Sequence, residues 1–453
     1  MGTRLSDSRQ YAHLWGTGEL VEIFGERARL ASWVTILGAL ARAQARLGII
    51  PGDAAQAIST QLDADKLDLD RITEQTMLTS HSTLGVIREL QRQLPESARE
   101  FVYYGATVQD LTDTWFALVM REVGSIVWRD LRAVEDALLG LAHRHRDTVM
   151  LGRTHGQPGA PITFGYKAAG WSDEVRRHVQ RMGEARRRLL VGQLAGAVGT
   201  LGFFGVDGLR LRREFCAELD LGEPGISWLT TRDRIAEFGT LLAMICTTLA
   251  RFGDEVYELA RPEIGELREP LSPNAVGSIT MPHKHNPEAS EHLDTLARLV
   301  RANAAVLIEG MAGSHERDGR AWKAEWIALP EVCELTAVAL QTALRLAGGL
   351  RVDSQSMSAN LARMQAQVSS EQLLAGLSAR VGKHRAQQLL QDLSMSDPGG
   401  DLAARMVDAG LASATEIDTW TGRPATGAAA SMVDRLVTAS RTARAEEPER
   451  WCP

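Results

Sequence analysis

The feature that most constrains the fold is a long apolar stripe with alternating spacings of three and four residues. Eight residues form it: Ile235, Phe238, Leu242, Ile245, Leu249, Phe252, Val256 and Leu259. This spacing places all eight on one face of an α-helix of about seven turns, and no proline interrupts the run. Such a helix is longer than most globular helices and needs other helices to cover its apolar face. The stripe therefore predicts a helical bundle.

Two further segments show the same helical spacing. One runs from Phe164 to Leu190, and the other begins near Pro287 and carries apolar residues on one face. Strand patterns are nearly absent, and only residues 101–104 suggest a short extended stretch. The sequence therefore predicts an all-α protein. Long apolar seams are often buried between subunits, which indicates an oligomer.

Proline and glycine clusters divide the chain into three predicted helical regions. These are an N-terminal domain over 1–111, a central bundle over 112–355 and a C-terminal domain over 356–453. Glycine and proline interrupt helices and mark the connections between them.

Composition and charge exclude several classes of partner. The net charge is −7, spread along the chain, so we expect neither nucleic acid nor membrane as a partner. No 18-residue apolar stretch and no apolar signal core are present, which favours a cytoplasmic protein. The cysteines are scattered without metal-ligand spacing, so we expect reduced thiols with no metal or disulfide role. Their positions are Cys216, Cys246, Cys333 and Cys452.

The segment from Gly277 to Pro287 carries the strongest chemical signal. It reads GSITMPHKHNP and places a hydroxyl, an ammonium and an amide just before a predicted helix. Pro287 suits the first turn of that helix. The segment is therefore predicted to offer backbone N–H groups, a helix N-terminus and Lys284 to an anion.

This segment resembles the signature of the fumarase/aspartase, or fumarate lyase, superfamily. The family pattern is Gly-Ser-Ser-x-Met-Pro-x-Lys-x-Asn-Pro, and only its second serine is replaced, by Ile279. The resemblance implies that Ser278 is the catalytic base. It also implies that Lys284 and Asn286 bind a substrate carboxylate.

A second block, GRTHGQ at 152–157, resembles the family's Gly-Arg-Thr-His-x-Gln. The resemblance implies that His155 is an acid or electrostatic partner and that Thr154 and Gln157 contact substrate. Glu291 stands where the family has a glutamate paired with this histidine. Such a pair would fix the imidazole tautomer and favour the imidazolium.

Weaker matches add four candidate substrate-binding residues. The stretch YGATVQD at 104–110 resembles a block of adenylosuccinate lyases and carboxymuconate cycloisomerases, and it supplies Thr107. There, Val108 replaces a serine and Tyr103 replaces an upstream histidine. The sequence TSH at 79–81 resembles an adenylosuccinate lyase segment, which implies that its histidine contacts substrate. The remaining candidates are His81, Arg232 and Arg317.

The role of Arg232 stays open at this point. It lies in TTRDR, which resembles Thr-Gln-Arg-Asp-Arg with Thr231 in place of glutamine. Arg232 either binds an anion or forms an ion pair between bundle helices. Arg317 lies in HERD at 315–318, followed by a segment most like carboxymuconate cycloisomerases.

The resemblance, which extends over essentially the whole chain, implies fold and activity. The expected fold is the three-domain, all-α fumarate lyase fold, with a central long-helix bundle forming the core of a homotetramer and sites shared between subunits. The expected reaction is a cofactor-independent β-elimination from a substituted succinate, with a C–N bond preferred, giving fumarate or an analogue. The expected substrate is a small anionic di- or tricarboxylate.

Three alternatives remain. The first is 3-carboxy-cis,cis-muconate cycloisomerase, which the overall pattern favours and His155 disfavours. The second is adenylosuccinate lyase proper, disfavoured because residues 319–322 (GRAW) replace the serine-rich segment on the nucleotide side. The third is a non-catalytic structural homologue, disfavoured because the proposed base, its partners and the carboxylate-binding residues occur together.

Overall fold

The computed structural model describes residues 5–271, 276, 278–281, 283–364, 368–396 and 400–452. Within these residues the N-terminal region contains six α-helices. They are α1 (Gly18–Phe24), α2 (Glu26–Arg46), α3 (Gly52–Gln61), α4 (Leu69–Thr79), α5 (Leu84–Gln93) and α6 (Glu96–Arg99). Short 3-10 helices lie at Leu5–Asp7, Ala12–Leu14 and Ala64–Lys66.

The central region contains the longest helices. They are α7 (Val108–Arg144), α8 (Phe164–Leu189), α9 (Gly208–Glu218), α10 (Asp233–Ala260), α11 (Glu288–Glu309) and α12 (Gly319–Gly349). A 3-10 segment at Gly202–Asp207 precedes α9. The C-terminal helices are α13 (Ser354–Arg363), α14 (Ser370–Val381), α15 (Lys383–Ser396), α16 (Leu402–Asp408), α17 (Ala414–Thr421) and α18 (Ala429–Glu446).

Helix α10 lies in the bundle against α8, α11 and α12, and α7 packs on α8 and α12. All eight residues of the apolar stripe are buried, none more than 3% exposed. The predictions for α8 and for a helix following Pro287 are also confirmed. Helices α10 and α12 are long and apolar enough to cross a membrane, but most of each is buried within the bundle, as expected for core helices.

In the part of the chain that the structure describes, four short strands accompany the helices. Strands β1 (Val149–Thr154) and β2 (Gln157–Thr163) form an antiparallel hairpin, and β3 (Leu267–Arg268) pairs with β4 (Arg351–Val352). The sequence did not predict the hairpin, because its glycines and prolines disrupt the usual strand pattern. The predicted extended stretch at 101–104 is wrong, since those residues form turns before α7.

The described residues form a large and a small apolar core. The large core extends from α1 to α13, and the small one lies among α14–α17. The chain then returns to the bundle, where α18 packs on α8 and Trp451 donates from Nε1 to the Met182 carbonyl at 2.9 Å. The domain boundaries at 111 and 355 stay predictions. The cysteines are free, with three buried and Cys452 half-buried.

A buried histidine joins two bundle helices through a chain of hydrogen bonds. Arg181 donates to Nδ1 of His178 at 3.2 Å, and His178 Nε2 lies 2.8 Å from the Thr248 hydroxyl. That hydroxyl donates to Glu174 at 2.7 Å, so the imidazole must donate to it. The ring is therefore neutral. Burial, with the nearby Arg181 guanidinium, lowers the pKa of His178 to about 4.

We expect the protonation of His178 to destabilise the fold in acid. A histidine with a lowered folded-state pKa contributes stability above its unfolded pKa of about 6.5, and that stability is lost as pH falls toward 4. The loss approaches about 3 kcal/mol. Chemical denaturation from pH 7 to 4 should show a steeper decline for the wild type than for His178→Gln. Parallel curves would contradict this expectation.

Candidate active site

The signature segment lies in the loop between β3 and α11. Ser278 is half-buried, and its Oγ accepts the Met281 N–H at 3.0 Å. The Lys284 N–H donates to the Met281 carbonyl at 3.0 Å, and the Lys284 side chain is exposed. A donor aimed at a serine oxygen favours its anionic form, as a serine base requires. The motif positions 277 and 282 lie outside the described residues.

The N-terminus of α11 is occupied by a side chain of the same protein. Glu269 accepts the Ala289 N–H at 3.0 Å, the Ser290 N–H at 2.8 Å and the Ser290 hydroxyl at 2.6 Å. The prediction that this helix end offers its N–H groups to a substrate anion is therefore wrong. Lys284 and the half-buried Asn286 remain the loop's candidate substrate contacts.

The GRTHGQ block forms the tip of the β1–β2 hairpin. His155 and Gly156 make a two-residue turn with φ of 53° and 73°, the left-handed geometry of tight hairpins. His155 is exposed, as are its neighbours Thr154 and Gln157. The tip therefore presents an imidazole, a hydroxyl and an amide together on the surface of one chain.

The base of this hairpin is fixed by a buried carboxylate. Arg153 forms a two-pronged ion pair with Glu266, with distances of 3.0 and 2.8 Å. Glu266 is fully buried and also accepts from Asn360 Nδ2 at 2.7 Å. Bidentate arginine–carboxylate pairs fix orientation as well as distance. Arg153 thus anchors the turn that carries His155.

The implied pair between His155 and Glu291 is not formed within one chain. Both side chains are exposed, and no ion pair joins them among the described residues of the single subunit. Glu291 lies in the first turn of α11, and its N–H donates to the Pro287 carbonyl. Their pairing across a subunit interface stays a prediction.

Two candidates from distant parts of the sequence are in direct contact. Arg317 donates to the Thr107 hydroxyl at 2.8 Å. The candidate His81 contacts Thr83, whose hydroxyl lies 3.3 Å from its Nδ1. The structure therefore joins the predicted candidates Thr107 and Arg317, and no hydrogen bond among the described residues joins His81 to that pair.

The orientation of His81 follows from its contacts. Its Nδ1 lies within hydrogen-bonding distance of the N–H groups of Thr83 and Leu84, at 3.4 and 3.2 Å. Because Nδ1 accepts from the start of α5, the proton of the neutral ring is on Nε2. The exposed ring thus presents an N–H donor.

Tyr103 is a residue that sequence reasoning noted as a replacement but did not select. It adopts φ of 64°, which is rare for a residue with a side chain. Burial, with the nearby Asp110 carboxylate, raises the pKa of Tyr103, so its phenol stays protonated. The Arg317 guanidinium acts electrostatically on its phenol, which makes Tyr103 a further candidate contact.

Asp110 fixes the start of α7. Its buried carboxylate accepts the N–H groups of Thr107, Ala195 and Gly196 at 2.9, 2.8 and 3.2 Å. Burial raises the pKa of Asp110 to about 7, against the three N–H groups, which favour the ionised form. Asp110 matches the family block, and in the structure its carboxylate holds Thr107 at the start of α7.

Arg232 does not belong to the substrate site. It is 2% exposed and pairs with Asp113 at 2.8 and 3.0 Å and with Glu325 at 2.8 Å. It also donates to the Trp228 carbonyl at 3.3 Å. Its prediction as a substrate-binding residue is wrong, because these buried partners already engage its guanidinium. The alternative of an ion pair between bundle helices is confirmed.

Replacement of Arg232 should therefore act on stability. Arg232→Met leaves two carboxylates buried without their cation, and we expect the free energy of unfolding to fall by about 3–5 kcal/mol. Arg71→Met, which breaks an exposed pair with Asp68, is a matched control and should cost less than about 1 kcal/mol. Denaturant titration measures both. If Arg232→Met had normal stability but weakened substrate binding, Arg232 would be a substrate-binding residue after all.

The described residues contain no group of three or more His, Cys, Asp or Glu side chains arranged to hold a metal ion. The candidate residues lie in the serine loop, in the histidine turn and at the pair formed by Arg317 and Thr107. They carry a serine hydroxyl, an imidazole, and cationic and hydroxyl groups.

Nearly the whole chain is similar to known lyases. Residues 16–302 match a lyase family. The chain is 38% identical to the N-acetyl-S-(2-succino)cysteine lyase of Dickeya dadantii over 445 residues, covering 96% of this chain and 98% of the relative. It is 34% identical to the adenylosuccinate lyase of Methanocaldococcus jannaschii over 384 residues, covering 84% and 83%.

A solved structure is similarly close. The 3-carboxy-cis,cis-muconate lactonizing enzyme from Pseudomonas putida superposes with a TM-score of 0.87 at 32% identity, over 96% of this chain and 99% of that one. The extent of these matches confirms the resemblance that the serine loop indicated. The chain belongs to the lyase family of the fumarate lyase superfamily, with the all-α fold of that superfamily.

Proposed function

We propose that this protein eliminates a substituent from a substituted succinate and releases fumarate or a close analogue, with Ser278 as the base. The observation that carries the proposal is the contact of Ser278 Oγ with the Met281 N–H at 3.0 Å, in a loop that also holds Lys284 and Asn286. A serine base needs donors that stabilise its alkoxide. The lyase relatives support this role for the loop.

The proposed reaction has a specific electrostatic demand. Removing a proton from the carbon beside a carboxylate creates a dianion, which preorganised cations and hydrogen-bond donors must stabilise. Lys284 and Asn286 provide an ammonium and an amide on the loop. Arg317 and Thr107 provide a guanidinium and a hydroxyl, and the guanidinium nitrogen lies 2.8 Å from the hydroxyl oxygen. These two pairs of residues suit the two ends of a dicarboxylate.

The leaving group is proposed to depart through sulfur. The relative that is similar over 96% of this chain is named for a thioether of succinate with N-acetylcysteine. A thiolate leaves readily because its conjugate acid has a pKa near 8.5, whereas an amine must be protonated to leave. His155 would provide electrostatic assistance or a proton on that side. The preference for a C–N bond remains a prediction to be tested beside the thioether.

The proposed assembly is a cytoplasmic homotetramer with sites shared between subunits. Within one chain His155 and Glu291 are both exposed and make no ion pair among the described residues. In the proposed assembly, subunit contacts bring these two exposed side chains together. This supports assembly as a condition for activity.

The second candidate function is 3-carboxy-cis,cis-muconate cycloisomerase. The similarity to the Pseudomonas putida enzyme over nearly the whole chain favours it. A cycloisomerase expels a carboxylate from a lactone or forms that bond in reverse, and a carboxylate needs little help from an acid such as His155. The two functions therefore differ in substrate and in their dependence on His155.

Ser278→Ala should abolish elimination while leaving the fold intact. The substrate panel contains 2-succinyl thioethers, N-substituted succinates and 3-carboxymuconate, followed by the ultraviolet absorbance of fumarate or of the muconate. Loss of a general base costs a factor of ~10²–10⁴ in rate. Ser125→Ala is the control, because that hydroxyl bonds only to the Arg121 carbonyl of its own helix. Turnover above about a tenth of wild type in Ser278→Ala would exclude this base, and consumption of muconate alone would favour the cycloisomerase.

Mixing two inactive variants should restore activity if sites are shared. Ser278→Ala and His155→Gln are co-expressed in equal amounts with different affinity tags, and hybrids carrying both tags are assayed. When the two residues come from different chains, about a quarter of the sites regain both. Hybrids no more active than the parent variants would place Ser278 and His155 of each site on one chain.

A further inference from the structure

One carboxylate connects the two ends of the loop that carries the proposed base. Glu269 is the first residue after β3, and Ala289 and Ser290 open α11. Glu269 Oε2 accepts the Ala289 N–H at 3.0 Å, and Oε1 accepts both the N–H and the hydroxyl of Ser290 at 2.8 and 2.6 Å. The side chain thus connects the end of β3 to the start of α11, and Ser278, Lys284 and Asn286 lie between these two elements in the sequence.

Both partners of this contact are themselves fixed to the bundle. On one side, β3 pairs with β4, and the Asp353 N–H donates to the Glu266 carbonyl at 3.0 Å. On the other side, α11 packs closely on α10, where a Cβ at Gly253 would lie 3.2 Å from Leu293 Cδ1. Glu269 therefore joins two elements that are each packed on the bundle.

The chemistry of the contact requires a carboxylate. Both oxygens accept, and the negative charge lies at the positive end of the α11 dipole. A glutamine of the same size has one acceptor oxygen, and its NH₂ group would face a backbone N–H that also donates. Glu269→Gln therefore disrupts the contact with almost no change in volume.

We propose that Glu269 is a positioning residue for catalysis, which holds Ser278, Lys284 and Asn286 in register with the substrate by fixing the base of their loop. It acts through the first turn of α11, which also carries Glu291. The inference rests on the proposed function of these residues. Misplacing reacting groups by about 1 Å costs roughly 100-fold in rate, so the contact matters more for turnover than for folding.

The kinetic test uses three variants of the homo-oligomer as purified. We expect Glu269→Gln to lower kcat by roughly 100-fold and Ser290→Ala, which loses one of three bonds, by a smaller factor. Glu263→Gln is the matched control, since Glu263 is an exposed glutamate on the same segment whose nearest recorded cation is Arg261 at 3.8 Å. Substrate deuterated at the abstracted position should show a larger isotope effect with Glu269→Gln than with wild type, because proton removal becomes slower.

Amide hydrogen exchange tests the contact without any substrate. The Ala289 and Ser290 amides should exchange at least ~10-fold faster in Glu269→Gln than in wild type and in Glu263→Gln. Unchanged exchange would overturn the contact itself. Faster exchange with unchanged kcat and isotope effect would reduce Glu269 to a helix cap and overturn the positioning role. If the wild-type protein eliminates from none of the substituted succinates, the proposed function is wrong. The hydrogen-exchange result still shows whether Glu269 holds the Ala289 and Ser290 amides.

Discussion

The buried ion pairs of Arg232 set the register of the three longest helices. Arg232, at the N-terminal end of α10, joins Asp113 on α7 to Glu325 on α12, and all three side chains are at most 2% exposed. Buried ion pairs contribute little net stability, but breaking one is costly, so they fix which helix positions lie side by side. Asp113 lies six residues after Thr107, and Glu325 lies eight after Arg317. With α7 and α12 registered at this point, their preceding loops meet, and Arg317 reaches the Thr107 hydroxyl.

A second constraint acts in the segment 266–269, which follows α10 and includes β3. It carries two carboxylates that hold two different segments of the candidate site. Glu266 binds Arg153 at the base of the histidine hairpin, and Glu269 binds the start of α11 beyond the serine loop. The segments that carry the proposed base, Ser278, and the proposed acid, His155, are thus both anchored to one short stretch of backbone. The two residues lie more than a hundred positions apart in the sequence.

How far the sequence predicts this molecule depends on whether an interaction is local. Helix α10 was predicted from its apolar periodicity and the start of α11 from a proline, and the structure confirms both predictions. The β1–β2 hairpin was missed because its tip and second strand are rich in glycine and proline. The role of Arg232 was predicted wrongly because its partners are carboxylates 119 and 93 residues away in the sequence. A local sequence pattern does not reveal such distant partners. The family motifs supplied the candidate residues, but the histidine–glutamate pair that they imply is not formed among the described residues of a single chain, and its formation between subunits stays a prediction.

The exposure of the proposed groups connects chemistry to assembly. The dianion formed by proton removal is stabilised by fixed charges only where water is excluded, because water screens a charge pair several-fold more strongly than a protein interior does. In one chain the side chains of His155, Lys284 and Glu291 are exposed, so water would surround each of them. Under the proposed function, the partner subunits must therefore supply both the missing residues and the dry surroundings. Rigid anchoring by Glu266 and Glu269 is then a requirement, because a loop contributed to a shared site must be held in place by its own chain before the subunits meet.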